Sequence, residues 1–206
     1  DKLARLIRIE TDSRLINRPR VGRWLDRWFP LLLVVGAVLL LFLSLDDVYL
    51  WQDEAETALI ARHYLAYGLP LSTDGRTWVQ QEEVPFREFT SDYVWIYHPW
   101  MQYAVTALSF AALGASTFSA RLPFVLAGLA SVLLLYRLAR QLQPELRMAR
   151  LAAVLLALCV PSLLLARQCR YYAISAALTL LVLNNYFELG SAKRWSTPCF
   201  VLSSAL

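Results

Sequence analysis

The sequence predicts an all-α polytopic membrane protein, and three features of its 206 residues carry that expectation. Apolar residues make up 58% and charged residues 17%, whereas soluble domains average roughly 45–50% and 25%. The apolar residues form uninterrupted runs close to the roughly 20 residues that a helix needs to cross a bilayer. Basic residues flank these runs and form no face, so the net charge of +4 fits membrane orientation and no nucleic-acid partner is expected.

Residues 1–27 hold eight Lys and Arg and read as a cytoplasmic segment. They are too long and polar for a signal peptide, so the run after them is expected to stay as an anchor. The chain opens on Asp1 and stops inside a fresh apolar stretch, which suggests an N-terminal fragment. Residues 28–206 are expected to be the first part of one transmembrane domain. Its spans are predicted at 28–45, 118–138, 151–166 and 171–189, with a fifth beginning near 195. Trp24 and Trp28 mark one margin of the first span, Tyr49 and Trp51 the other.

The apolar segment Pro99–Gly114 is shorter and carries Gln102, Thr106 and Ser109. Were it to cross, Arg137, Arg140, Arg147 and Arg150 would lie opposite the basic N-terminal segment, against the positive-inside rule. The prediction is therefore an interfacial amphipathic helix, which leaves residues 46–117 as one outer loop. Up to Trp100 this loop holds ten carboxylates against three arginines. Within it, Asp53–Tyr67 is expected to be helical, with Asp53 as N-cap, Glu56 at the third helical position, and Gly68 and Pro70 closing it. Ile60, Tyr64 and Tyr67 make an apolar face expected to rest on the membrane surface. Residues 72–97 read as a loop.

Asp53 and Glu54 follow the first span at headgroup depth, where a carboxylate can act as general base toward a hydroxyl. Asp53 serves equally well as a helix cap. His98, before Pro99, can help a helix N-terminus hold a phosphate, or simply cap that helix. Arg167 and Arg170 lie in a short outer loop where positive charge is disfavoured. They suit bidentate phosphate binding, with snorkelling as the alternative. Snorkelling accounts for Arg121, and Asn184 and Asn185 are expected to bond between helices. Cys159, Cys169 and Cys199 have no metal-like spacing.

In this order the motifs resemble the polyprenyl-phosphate-dependent glycosyltransferases of the GT-C fold, the class of protein O-mannosyltransferases and lipid A aminoarabinose transferases. The resemblance rests on Asp53-Glu54 after the first span, the His98-Pro99 step, Ala120-Arg121-Leu122-Pro123 and the loop Ala166–Tyr172. It implies a GT-C transmembrane bundle with juxtamembrane helices in the first outer loop. It also implies inverting transfer of a sugar from a polyprenyl-phosphate donor to a hydroxyl on a lipid, glycan or protein, on the extracytoplasmic side.

By that resemblance Asp53 is the base and Glu54 supports it, while His98, Arg167, Arg170 and Tyr171 attend the lipid phosphate. Many relatives carry an Asp after the second-loop arginine, where Tyr171 stands here; no metal is expected to be required, although a divalent ion is compatible. The expected home is a prokaryotic plasma membrane rather than the endoplasmic reticulum. The competing classes are a non-catalytic membrane scaffold and a transporter subunit. The latter would place ionisable residues deep within its spans.

Overall fold

The computed structural model describes residues 20–79, 88–143, 145–189, 198–199 and 201. The expected N-terminal segment before residue 20 and most of the fifth span lie outside the described residues. The chain forms two compact units, one up to Gly36 and one from Ala37. Of the first, the described part is the start of helix α1 (Arg20–Phe42). The second contains the end of α1 and α2 (Gln52–Tyr67), α3 (Met101–Leu113), α4 (Thr117–Leu142), α5 (Leu146–Leu158), α6 (Val160–Ala166) and α7 (Tyr172–Glu188). The all-helical prediction holds among the described residues, where extended pairing is limited to isolated bridges such as Leu71 with Val94.

The helices differ from the predicted spans in instructive ways. α1 ends at Phe42, before Leu45, and Ser44 then turns through a left-handed φ of 56°. α1 runs for 23 residues, and α4 is long and apolar enough to cross by itself. The run predicted at 151–166 breaks into α5 and α6, bent by 62° at Cys159. Pro161 explains the break, because it cannot donate to the Ala157 carbonyl and its ring would collide with it. As one broken span the pair would make a second crossing.

A second proline is accommodated differently. Pro123 lies inside α4 and leaves the Ser119 carbonyl without its helical donor. The Ser109 hydroxyl of α3 donates to that oxygen at 2.6 Å. The vacancy thus becomes a tie between α3 and α4.

Much of the surface of α4–α7 is apolar: Leu126, Leu133, Leu155, Leu158 and Leu164 are exposed. The residues turned inward are small, with Ala149, Ala153 and Ala157 buried along one stripe of α5. A Cβ added to Gly128 in α4 would come within 2.6 Å of the Ala166 Cβ in α6. Small residues inside and leucines outside suit a helix bundle in lipid, where close backbone approach replaces the hydrophobic drive to associate. Asn184 of α7 donates to the Leu134 carbonyl of α4 at 3.0 Å, the interhelical role expected of it. Asn185 reaches the Cys199 carbonyl at 3.2 Å.

Two expectations for the outer loop are corrected. α2 starts at Gln52 with Trp51 as N-cap, and Glu54, not Glu56, is the third helical residue. Its carboxylate accepts from the Trp51 N–H at 3.4 Å. Ile60 does not rest on a membrane surface, because it is fully enclosed with Trp95 and Tyr103, whereas Tyr67 of the same expected face is exposed. Gly68 does close the helix, in the left-handed conformation that glycine adopts without a Cβ penalty.

α3 is shorter than its predicted segment, and at 1.5 Å per residue its length of about 20 Å falls short of a bilayer core. Gln102, Thr106 and Ser109 are buried toward the protein, while Leu108 and Leu113 are exposed. The polar stripe is therefore internal. Leu41, Leu45, Ala58, Ala107, Phe110, Phe124 and Val125 form the core over which the outer loop is folded.

Candidate active site

The first turn of α2 sends its neighbouring carboxylates in different directions, since successive helical residues are about 100° apart. Glu54 points inward and is fully enclosed. Arg121 meets it with a fork, Nε to Oε1 at 2.9 Å and Nη2 to Oε2 at 2.7 Å. The Cys169 backbone N–H adds a bond to Oε1 at 2.8 Å. The same guanidinium donates to the carbonyls of Leu45, Val48 and Tyr49. Arg121 is thus a buried hub and not a snorkelling residue. It fixes the turn after α1, the start of α2 and the 167–171 loop in one place.

On the outer side of this hub lies a second, looser group. Arg170 is buried, and its Nη1 donates to the Asp53 carbonyl at 3.3 Å and to Glu56 Oε1 at 3.2 Å. Its Nη2 lies 3.5 Å from Asp53 Oδ2 and 3.0 Å from His98 Nε2. An arginine can only donate, so His98 Nε2 must accept and the ring carries its proton on Nδ1. His98 Nδ1 lies 3.3 Å from Glu56 Oε1, an off-line electrostatic contact rather than an aligned hydrogen bond. The Arg170 Nε–H has no hydrogen-bond partner among the described residues.

The electrostatics follow from this packing. Burial pushes the His98 imidazole below its ordinary range, and the facing Arg170 charge adds to the effect. With Nε2 accepting from Arg170 the ring is neutral in this arrangement, and Arg170 is the cation of the group. Burial raises the Glu56 carboxyl against the opposing pull of Arg170. Asp53 keeps the more open carboxylate, 37% exposed against 16% for Glu56.

Tyr171 joins the group through its backbone, whose N–H donates to Gln102 Oε1 at 3.0 Å. Its ring lies 6.0 Å from that of His98, centre to centre. A cleft of about 120 Å³ opens beside it, lined by Pro99, Gln102, Tyr171, Ile174, Ser175 and Leu178 among others. Arg167 does not join. Its Nη2 donates to the carbonyls of Leu43 at 2.7 Å and Ser44 at 2.8 Å, the turn that follows α1. Cys169 is fully buried and its thiol is pushed up to about 12 by burial, so it packs rather than acting as a nucleophile.

A larger cavity of about 490 Å³ is lined by Leu59, Arg62, His63, Tyr67, Asp74 and Thr77 among others, and none of Asp53, His98 or Arg170 lines it. Among the described residues no three His, Cys, Asp or Glu side chains gather as a metal-ligand set. Of the expected site residues, Asp53, His98, Arg170 and Tyr171 come together, Glu54 sits behind them as their anchor, and Arg167 stands apart. Glu56 is the member that sequence reasoning missed. Its spacing of three from Asp53 puts it on the same side of a helix, and that was the available signal.

A sequence model of the dolichyl-phosphate-mannose-protein mannosyltransferase family matches residues 97–205, a stretch that includes His98, Arg121 and Arg170. No curated protein and no solved structure matches the chain.

Proposed function

The chain belongs to the dolichyl-phosphate-mannose-protein mannosyltransferase family, and from that membership we propose that it moves a sugar from a polyprenyl-phosphate donor to a hydroxyl acceptor, with inversion and with Asp53 as general base. Membership makes it a membrane glycosyltransferase of the GT-C type. The observation that carries the finer reading is the pairing of an accessible Asp53 carboxylate with a buried Arg170, within one group built on α2 and the 167–171 loop.

In the reaction, the acceptor oxygen attacks the anomeric carbon as Asp53 takes its proton. The carbon–oxygen bond to the phosphate breaks, and the electron pair leaves with the phosphate. Attack from the face opposite the departing phosphate inverts the anomeric centre. Arg170 stabilises the charge that develops on the leaving phosphate oxygen, a role that a planar, permanently charged guanidinium suits. The neutral His98 holds Arg170 by accepting from Nη2.

The apolar bundle surface and the acidic outer loop support a multi-pass protein with its N-terminus cytoplasmic and this site extracytoplasmic, where the donor's lipid and phosphate meet the aqueous edge. A prokaryotic plasma membrane fits this arrangement. Gln102, Tyr171 and Ser175 beside Ile174 and Leu178 give the small cleft a mixed polar and apolar wall of the kind such a junction needs.

The test is transfer by the intact protein in membranes, offered radiolabelled polyprenyl-phosphate sugars and, in parallel, nucleotide sugars. The expected result is transfer from a lipid-phosphate donor with a product of opposite anomeric configuration. Retention of configuration, or transfer from nucleotide sugars alone, contradicts the proposal.

A further inference from the structure

We propose that Glu56 takes up one proton from solution when the anionic lipid-phosphate donor binds beside Arg170, exchanging a carboxylate charge for the incoming phosphate charge. The inference rests on the donor class proposed above and goes beyond it by assigning a role to Glu56.

The argument starts from charge. With His98 neutral, the described residues of the group set two carboxylates, Asp53 and Glu56, against one cation, Arg170. A phosphodiester adds another negative charge and leaves the cluster with three anions around one guanidinium. Like charges gathered in a partly buried site disfavour full ionisation, and a proton is the nearest remedy.

Three groups could accept it, and their surroundings separate them. His98 has already spent its Nε2 lone pair on an Arg170 N–H, and protonation there would break that bond. Asp53 is the most open of the three and must stay ionised to serve as base. Glu56 is the more enclosed carboxylate, and the negative charges of Asp53 and Glu88 both act on it.

The groups facing Glu56 come from every neighbouring segment. Asp53 shares its helix, Glu88 and His98 come from the outer loop, Tyr103 from α3 and Arg170 from the 167–171 loop. Arg170 alone among them is a cation, and the donor phosphate competes for it. As Arg170 turns toward phosphate, Glu56 loses the interaction that holds it ionised. A proton then adds to the carboxylate as an O–H bond forms, and no other bond changes.

The experiment uses polyprenyl-phosphate mannose as probe, with the intact protein in nanodiscs. This phosphodiester keeps a constant charge across the working pH range. Titration calorimetry in two buffers of different ionisation enthalpy counts the protons taken up on binding. Wild type is expected to take up close to one proton per donor between the titrations of Glu56 in the free and in the donor-bound protein, and its Kd to weaken about tenfold per pH unit in that interval. Glu56→Gln, which keeps an oxygen for Arg170 Nη1, is expected to bind without proton uptake and with a flat pH profile. Binding by wild type without proton uptake overturns the inference and leaves the donor assignment standing, whichever way the variant behaves. An unchanged pH slope in a folded Glu56→Gln protein also overturns it. If wild type binds no lipid-phosphate sugar at any pH, the donor assignment fails, and this inference with it.

Discussion

Two arginine–carboxylate nodes stand on the first turn of α2, and they differ in how much of their hydrogen-bonding capacity is already used. At the inner node Glu54 and Arg121 are buried, and the guanidinium spends its donors on one carboxylate and three backbone carbonyls. At the outer node Arg170 is shared among Asp53, Glu56 and His98 at 3.0–3.5 Å, with its Nε–H unpartnered among the described residues. Saturated pairs hold a fold in place. Under-satisfied pairs leave hydrogen-bonding capacity that a ligand can use.

The comparison predicts its largest effect at the inner node. Glu54→Ala leaves the Arg121 charge buried without its partner, which should cost about 3–5 kcal/mol and remove most folded protein. Expression and thermal unfolding in detergent check this. Glu54 and Arg121 also stand among residues that only tertiary structure unites.

A matched pair of substitutions sharpens the contrast. Arg121→Lys loses the fork and most of the carbonyl contacts, so it should destabilise the fold nearly as much as Glu54→Ala. Arg170→Lys should fold and instead weaken donor binding about tenfold or more, because a point charge cannot reproduce planar recognition of phosphate. Melting curves and donor binding on the same samples separate the two outcomes.

The smallest effect concerns pH. The folded His98 titrates below its ordinary value near 6.5, chiefly because it is buried and then because Arg170 faces it. The folded protein therefore binds fewer protons than the unfolded chain in that interval, and stability must rise with pH across it. The contribution is complete above about 6.5 and is lost as pH falls through the folded value. Acidification from pH 7 to 5 should lower the melting temperature of wild type more than that of His98→Gln, as thermal unfolding at the two pH values would show.

Much of the fold is legible in the sequence where the cause is local. Gly68 ends α2 because it can adopt φ 75°; the break at Pro161 has an equally local cause in the missing N–H, yet the run around it is predicted from sequence to cross unbroken. Asn184 announces an interhelical bond because an amide in an apolar run needs a partner. The fate of Glu54 is not legible, since its partner Arg121 lies 67 residues away and nothing local says that the two meet. The resemblance of the motifs to the glycosyltransferase class brought Asp53, His98 and Arg170 together, and the fold does unite them. It also drew in Arg167, whose charge reads the same in sequence but whose loop position turns it to the Leu43 and Ser44 carbonyls.

The inward turn of Gln102, Thr106 and Ser109 shows a related limit. Polar residues in an apolar helix read as water-facing when the protein's own polar partners are unknown. Here Ser109 meets the carbonyl freed by Pro123, and Gln102 meets the Tyr171 N–H. Both partners become visible only once α3 is packed against its neighbours.

The most direct test of the division between the two nodes is sugar transfer by Asp53→Asn, measured in membranes from a polyprenyl-phosphate donor at matched expression. The account predicts a loss of about 10²-fold or more in rate, with folding and donor binding retained. Transfer at the wild-type rate would contradict it and remove Asp53 as the base.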